Sequence, residues 1–351
     1  MKSIKEYKVV ECSGTPYKIG QQWGEGCKES IFHGLENLFN GMAFMYKVSK
    51  EEVISKAMKF LPLVQDYDPY LIEILKGKAA GAGVGFEEIF TQKCGHELLF
   101  YYTNMAGYCT SFALTGEATR DGKTLLGQNF DLVPGTPIDL VKIYHSDGLT
   151  QLIMSIANSA EITLTSAGLG MCLNATISQD YAFNLPSACY MPKVMRQKNI
   201  HDAVDILKEV AGGACYHVLA DAKGEMFGIE SISNDYEILY PNKNMILHTN
   251  HYLTERFKKG DTAPTFIPNS YPRLERIKTL MNQHYGRINP EIIMEIMADH
   301  ANRPNSLCQH VDPAGQVPIA SIMSFIMVPE EGTIYIAWGN PCEYEFVRYV
   351  I

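Results

Sequence analysis

The chain lacks a Cys-x-x-Cys pair, a basic run of the kind that tracks phosphates, an apolar stretch long enough to span a bilayer, and any internal repeat or low-complexity tract. Each absence excludes a class. With 30 Lys and Arg against 39 Asp and Glu the net charge is −9, which argues against nucleic acid as the main partner and against an anionic membrane surface. The nine cysteines are odd in number and scattered, which fits reduced thiols better than a disulfide framework or a zinc site. No metal is therefore expected, and most of these cysteines read as small core residues. The opening residues Met1–Glu6 mix charge with apolar side chains and lack the apolar core of a secretory signal, so the expected location is the cytoplasm.

What is present is a globular composition, 46% hydrophobic over 351 residues, enough for one large core or two closely packed halves. The first hundred residues read as mostly helical. After a short strand at Tyr7–Cys12, one long helical pattern runs from Thr15 through Ile19, Trp23, Cys27, Ile31, Leu35 and Leu38, weakened locally by Gly20 and Gly24. Ser49 with Glu52 opens a second helix carrying Val53, Ala57, Leu61 and Val64, and Asp68-Pro69 opens a third. Gly77, Gly81 and Gly83 read as breaks before a further helix around 86–100.

From residue 108 onward the pattern turns to strands, at 141–145, 152–157, 162–165, 171–177, 216–220, 226–231, 237–240, 245–251, 322–328, 333–338 and 345–350. Helical stretches are expected at 187–211, 271–283 and from Asn289-Pro290 through Met297. Antiparallel runs with helices gathered in separate blocks argue for an α+β layered fold rather than alternating βαβ units.

The stretch that organises the chain is Gly107-Tyr108-Cys109-Thr110-Ser111-Phe112-Ala113, followed by Asp121-Gly122-Lys123-Thr124-Leu125-Leu126-Gly127-Gln128-Asn129-Phe130-Asp131. It reads as two strands turning at 120–123, a hairpin that brings Cys109 near Asp131. Ser166-Ala167-Gly168-Leu169, Asn174, His248-Thr249-Asn250-His251 and Ser306-Leu307-Cys308 follow in order. Together these motifs resemble the isopenicillin N acyltransferase family of N-terminal nucleophile (Ntn) hydrolases, from Cys109 onward over most of the chain. The resemblance implies a four-layer αββα sandwich in which the nucleophile begins an inner strand.

It also implies a precursor that cuts its own Tyr108-Cys109 bond. Residues 1–108 become a mostly helical pro-region or small α subunit, 109–351 a catalytic large β subunit, and the two remain an αβ heterodimer. The chemistry has a simple basis: a free α-amine titrates near 8, close to a thiol near 8.5, so the amine made by cleavage can take the proton from its own side chain. Cys109 is the expected nucleophile, attacking a linear, non-peptide amide or an acyl donor such as acyl-coenzyme A and passing through a thioester. Water or an amine then accepts the acyl group, and pocket shape and water exclusion decide which.

Asp131 sits where the family has a catalytic aspartate, suited to orienting the new ammonium, although aspartate is also a common turn residue. Asn250 is the expected oxyanion donor. Ser111, Asn129, Asn174, His248 and Gln309 are expected to support the site or touch substrate. On a strand His248 and His251 face opposite sides, without a third ligand nearby, which disfavours a metal. Tyr101, Tyr102, Tyr108 and Phe112 read individually as core, though they could line an apolar acyl pocket.

Two alternatives stay open: an unprocessed cysteine hydrolase pairing Cys109 with His248 or His251, and a silent relative that only binds a small molecule. The chain departs from the family at Thr165, where Asn is common, and at Gln309, where Arg is common. The second change removes a fixed cation that Arg303 is a candidate to replace.

Overall fold

Strands with both faces apolar, such as Leu152-Ile153-Met154, need cover on both sides, and the fold supplies it with stacked layers. The structure, a computed structural model, describes residues 2–102, 108–179, 183–210, 213–315 and 317–351, with the side chains of 99–102 outside that description. Gly107, Ala211, Gly212 and the side chains of Tyr101 and Tyr102 therefore lie outside the described residues.

In chain order the strands are β1 (Val9–Ser13), β2 (Tyr108–Gly116), β3 (Gly122–Leu132), β4 (Ile138–Tyr144), β5 (Thr150–Ile156), β6 (Ala160–Thr165), β7 (Leu169–Ala175), β8 (Cys215–Asp221), β9 (Met226–Ile232), β10 (Asp235–Leu239), β11 (Met245–His248), β12 (Ala320–Val328), β13 (Thr333–Ala337) and β14 (Val347–Val350). The helices are α1 (Pro16–Gly26), α2 (Lys28–Tyr46), α3 (Lys50–Ala57), α4 (Leu61–Tyr67), α5 (Pro69–Ala82), α6 (Phe86–Lys93), α7 (Gly95–Tyr102), α8 (Ser187–Val194), α9 (Ile200–Val210), α10 (Ala263–Phe266), α11 (Ser270–Gln283) and α12 (Pro290–Met297).

One sheet of eight strands runs β1-β4-β5-β6-β7-β8-β9-β10, and one of six runs β11-β2-β3-β12-β13-β14. Among the described residues these strands pair antiparallel except β1 with β4. Three apolar clusters fix the layer order. Val141, Ile143, Ile153 and Leu219 pack with α1 to α9 residues such as Ile19, Leu75 and Val204. Leu140, Leu152, Met154 and Val218 meet Leu126, Phe130 and Phe325 between the sheets. Phe112, Leu125 and Ile326 meet Leu274, Ile277 and Ile293 of α11 and α12. The result is the four-layer αββα sandwich that the motifs implied, with β2 inside it.

The N-terminal block differs in detail from its sequence reading. The long helical pattern divides at Cys27, which is non-helical at φ −114° and caps both α1 and α2. Gly77 and Gly81 are not breaks: they lie inside α5 and face Gly20 and Gly24 of α1. A Cβ at Gly20 would sit 1.9 Å from the Ile74 carbonyl, and one at Gly77 would sit 2.0 Å from that of Tyr17. The four glycines let two backbones touch, a packing need that sequence reads as helix weakness. Only Gly83, left-handed at φ 76°, ends the helix.

Ser49 caps α3 by accepting from Glu52 N, but the expected single helix becomes α3, a 3₁₀ turn and α4, which begins at Leu61-Pro62. The helix expected around 86–100 divides at Cys94, and that at 187–211 becomes α8 and α9. The short strand expected at Tyr7–Cys12 forms as β1, at an edge of the larger sheet beside β4.

Candidate active site

The β2–β3 hairpin places Cys109 opposite Phe130 and Tyr108 opposite Asp131. Alternation puts Cys109 with Phe130 in the layer between the sheets, while Asn129 and Asp131 belong to the face toward α11 and α12. Thiol and carboxylate thus share a strand end rather than a face. Cys109 is 3% exposed, so nothing about it is a surface thiol.

The Cys109 backbone is gripped from both sides. Its N–H donates to Asn250 Oδ1 at 2.9 Å, and its carbonyl accepts from Arg273 Nη1. Arg273 also donates to Thr110 Oγ1 at 3.0 Å, to Asn250 Oδ1 at 2.7 Å and to Asn269 Oδ1 at 3.3 Å. Its guanidinium is fully buried and lies 5.7 Å from the centre of the Tyr108 ring. Burial lowers Arg273 from its usual value, opposed by Asp131, Cys109 and Tyr108, but a guanidinium stays charged at neutral pH. It is the fixed cation of the site. Arg303, the candidate for that role in the sequence, is exposed.

Burial pushes the Cys109 thiol up to about 12, with the Asp131 charge adding to it. Arg273, the Gln128 side chain and the Asp131 backbone N–H pull the other way. In the intact chain the Cys109 nitrogen is an amide, unable to serve as a base, and the thiol stays protonated at neutral pH. Burial likewise raises Asp131 to about 6, against the pull of Arg273 and of Ser321, whose Oγ donates to Oδ1 at 2.6 Å. Among the described residues nothing donates to the buried Asp131 Oδ2, an acceptor held in reserve beside the Tyr108-Cys109 bond.

Asn250 leaves the end of β11 in a turn locked to the head of α11. Its N–H donates to Ser270 Oγ at 2.8 Å, and its Nδ2 donates to the Ala175 carbonyl at 2.9 Å. Asn174 holds the same turn through Nδ2 to the Thr249 carbonyl at 2.6 Å. β11 stops at His248, so strand alternation no longer applies to His251. His248 stacks on Tyr216 at 3.7 Å, and its ring nitrogens meet Glu230 Oε1 at 2.9 Å and the Thr249 carbonyl at 2.7 Å. Glu230 also accepts from Leu253 N and Thr254 N. His251 meets Ser270 Oγ at 2.7 Å, and burial lowers it to about 3, so it is neutral. Both imidazoles are engaged away from Cys109.

The remaining expected residues divide. Asn129 donates to the carbonyls of Met297 and Leu307 at 2.9 and 2.8 Å, tying β3 to the end of α12 and to the segment that leads into Gln309. Gln309 is buried; its N–H donates to Ser321 Oγ at 2.9 Å and its Nε2 to the Pro304 carbonyl at 2.7 Å, so it supports Asp131 through Ser321. Ser111 is buried in β2 between His248 and Gln128, its Oγ without a hydrogen bond among the described residues. Sequence reading missed Arg273, Gln128, Glu230 and Ser321. Arg273 had a signal: it lies on the stripe with Ile277 and Met281, where a charge among buried apolar positions demands partners.

A buried thiol at a strand head, flanked by an amide, a guanidinium and a carboxylate, is equipment for acyl transfer. The family model of acyl-coenzyme A:6-aminopenicillanic acid acyl-transferase matches residues 118–343, and the chain belongs to that family. That family is one of acyl-transferases, and the chain is an enzyme. Among solved structures it is similar to a mutant conjugated bile acid hydrolase from Clostridium perfringens, with TM-score 0.47 and 12% identity over 69% of this chain and 97% of that one. It is also similar to penicillin V acylase from Agrobacterium tumefaciens, with TM-score 0.44 and 13% identity over 66% and 83%.

Proposed function

We propose that this chain is a self-processing cysteine Ntn enzyme that cuts its Tyr108-Cys109 bond and then cleaves linear, non-peptide amides, or transfers their acyl group to an amine, through a thioester on Cys109. The observation that carries this reading is the double grip on the Cys109 backbone by Asn250 and Arg273, with the reserve oxygen of Asp131 one residue pair away. A structural cysteine would need none of it.

In the cut, the Cys109 sulfur adds to the Tyr108 carbonyl, the C–N bond breaks and the departing nitrogen takes a proton to become an amine. Water then hydrolyses the resulting thioester, leaving a carboxyl on Tyr108 and a free thiol and α-amine on Cys109. That amine replaces the amide that held the thiol inert, and it can carry the thiol's proton during catalysis. Asp131 orients the ammonium, and Asn250 with Arg273 holds the strand end while negative charge develops on the substrate carbonyl. Because β1 lies in the larger sheet and α1 to α7 cover it, the two pieces stay together as an αβ heterodimer.

The test uses processed protein and two donor sets, linear amides and acyl-coenzyme A thioesters, with the acyl-enzyme trapped by acid and located by peptide mass. The added acyl mass is expected on the N-terminal Cys109 peptide and is absent in a Cys109→Ala chain. Turnover with no acyl group on Cys109, or acylation of another residue, would overturn the proposal.

A further inference from the structure

Four side chains from three segments of the chain meet beyond the Asp131 end of the inner sheet: His300 after α12, Cys308 and His310 before β12, and Cys342 after β13. Their ligand atoms all lie within 4.8 Å of one another. None takes part in the acyl-transfer chemistry described above. The geometry points to a structural zinc site of the Cys₂His₂ class, bound by Cys308, Cys342, His300 and His310.

The distances carry it. Bonds of about 2.3 Å to sulfur and about 2.0 Å to nitrogen define a tetrahedron with edges of about 3.8 Å between sulfurs, about 3.5 Å between sulfur and nitrogen and about 3.3 Å between nitrogens. Here Cys308 Sγ and Cys342 Sγ are 3.5 Å apart, and His300 Nε2 and His310 Nε2 are 3.1 Å apart. His310 Nε2 lies 3.6 Å from Cys308 Sγ and 3.3 Å from Cys342 Sγ. Those four edges are close to tetrahedral values, and four soft or borderline ligands suit zinc, whereas magnesium and calcium ask for oxygen.

The surroundings fit the same assignment. Glu343 Oε1 stands 3.8 Å from His310 Nδ1, the nitrogen that would not bind metal, where a carboxylate orients a ligating imidazole. Asn340 Nδ2 lies 3.5 Å from Cys308 Sγ and can donate to a thiolate. Cys308 is fully buried and the other three ligands are partly exposed, and four protein ligands close the coordination sphere. The site is therefore structural, not catalytic. Local spacing concealed it, since the ligands are spread over three segments with no Cys-x-x-Cys pair.

Its place gives it a purpose. Gln309, between ligands Cys308 and His310, donates its N–H to Ser321 Oγ and accepts from Ser321 N at 2.8 Å, and Ser321 Oγ donates to Asp131. Zinc would pin the 298–310 segment to the turn after β13 and so hold the residue that presents Asp131. Binding releases the two thiol protons.

The test is metal content of untagged, reduced full-length protein carrying Cys109→Ala, so that failure of self-cleavage cannot affect the answer. About one zinc per chain is expected, lost on Cys342→Ser or His300→Gln. Should those variants misfold, cobalt exchanged into the unaltered site gives a second readout: thiolate-to-cobalt charge-transfer absorption with tetrahedral ligand-field bands. A chain that binds neither zinc nor cobalt under reducing conditions, metal content unchanged in folded ligand variants, or cobalt bound without a thiolate band would overturn the assignment. A Cys308–Cys342 disulfide in protein purified with zinc present would do the same.

Discussion

The backbone N–H of Cys109 donates to Asn250 Oδ1 at 2.9 Å across 141 residues of chain, and Arg273 donates to that same oxygen at 2.7 Å. One side-chain oxygen therefore joins the strand head, the turn after β11 and the first turns of α11. Replacing Asn250 by Ala removes the acceptor and leaves two buried donors without it, a loss of about 1–3 kcal/mol. Self-cleavage, followed by fragment appearance on denaturing gels, is expected to slow about 10²-fold or more, because the strand end that carries the scissile bond loses its positioning. Wild-type cleavage by folded Asn250→Ala protein would contradict the role.

Arg273 acts both as a charge and as a bonded frame. Arg273→Met leaves Asp131 buried without its cation and is expected to lower unfolding free energy by about 3–5 kcal/mol, read from urea midpoints. Arg273→Lys keeps the charge but loses the fork that reaches Cys109, Thr110, Asn250 and Asn269 together. It should recover much of the stability and little of the cleavage rate. Equal recovery of both would mean that charge alone matters.

Asp131 gives a pH signature. Its folded value, raised to about 6 by burial, exceeds the unfolded value near 3.9. The unfolded chain gives up this proton first, so the stability contributed by the group is complete below about pH 4 and is lost as pH rises through about 6. The loss is roughly 3 kcal/mol for a shift of this size. Unfolding of Cys109→Ala protein across that window should show it, and Asp131→Asn on the same background should flatten it. Parallel curves would contradict the assignment.

His248 separates the Ntn reading from a cysteine–histidine pair. Its ring is engaged by Glu230, Thr249 and Tyr216. His248→Gln is expected to weaken folding by about 1–3 kcal/mol through Glu230 while leaving cleavage and turnover of the folded fraction within about tenfold. Abolished turnover in well-folded variant, measured per active site, would favour the pair.

The parts of the site legible in sequence are those whose chemistry lies in consecutive residues. Cys109, Asp131 and Asn250 stand in short motifs, and hairpin alternation sufficed to bring the first two to one strand end. Arg273 is different because its position is set by the packing of α11, 164 residues from Cys109. The same holds for the cluster beyond the inner sheet, since only the closing of the sandwich brings Cys342 to His300, Cys308 and His310. In the N-terminal block, the helices were legible from their periodicity and caps, but Gly77 and Gly81 were not. A glycine that admits a neighbouring backbone and one that ends a helix look alike until the neighbour is known.

The most direct test of the central claim is the intact mass of freshly purified protein under denaturing conditions, with N-terminal sequencing of any fragments. The account predicts two pieces of about 12 and about 27 kDa, by residue share of 39.3 kDa, the larger beginning at Cys109, and a single uncut chain for Cys109→Ala. A wild-type chain that turns over substrate while remaining at 39.3 kDa, with Cys109 never N-terminal, would contradict it.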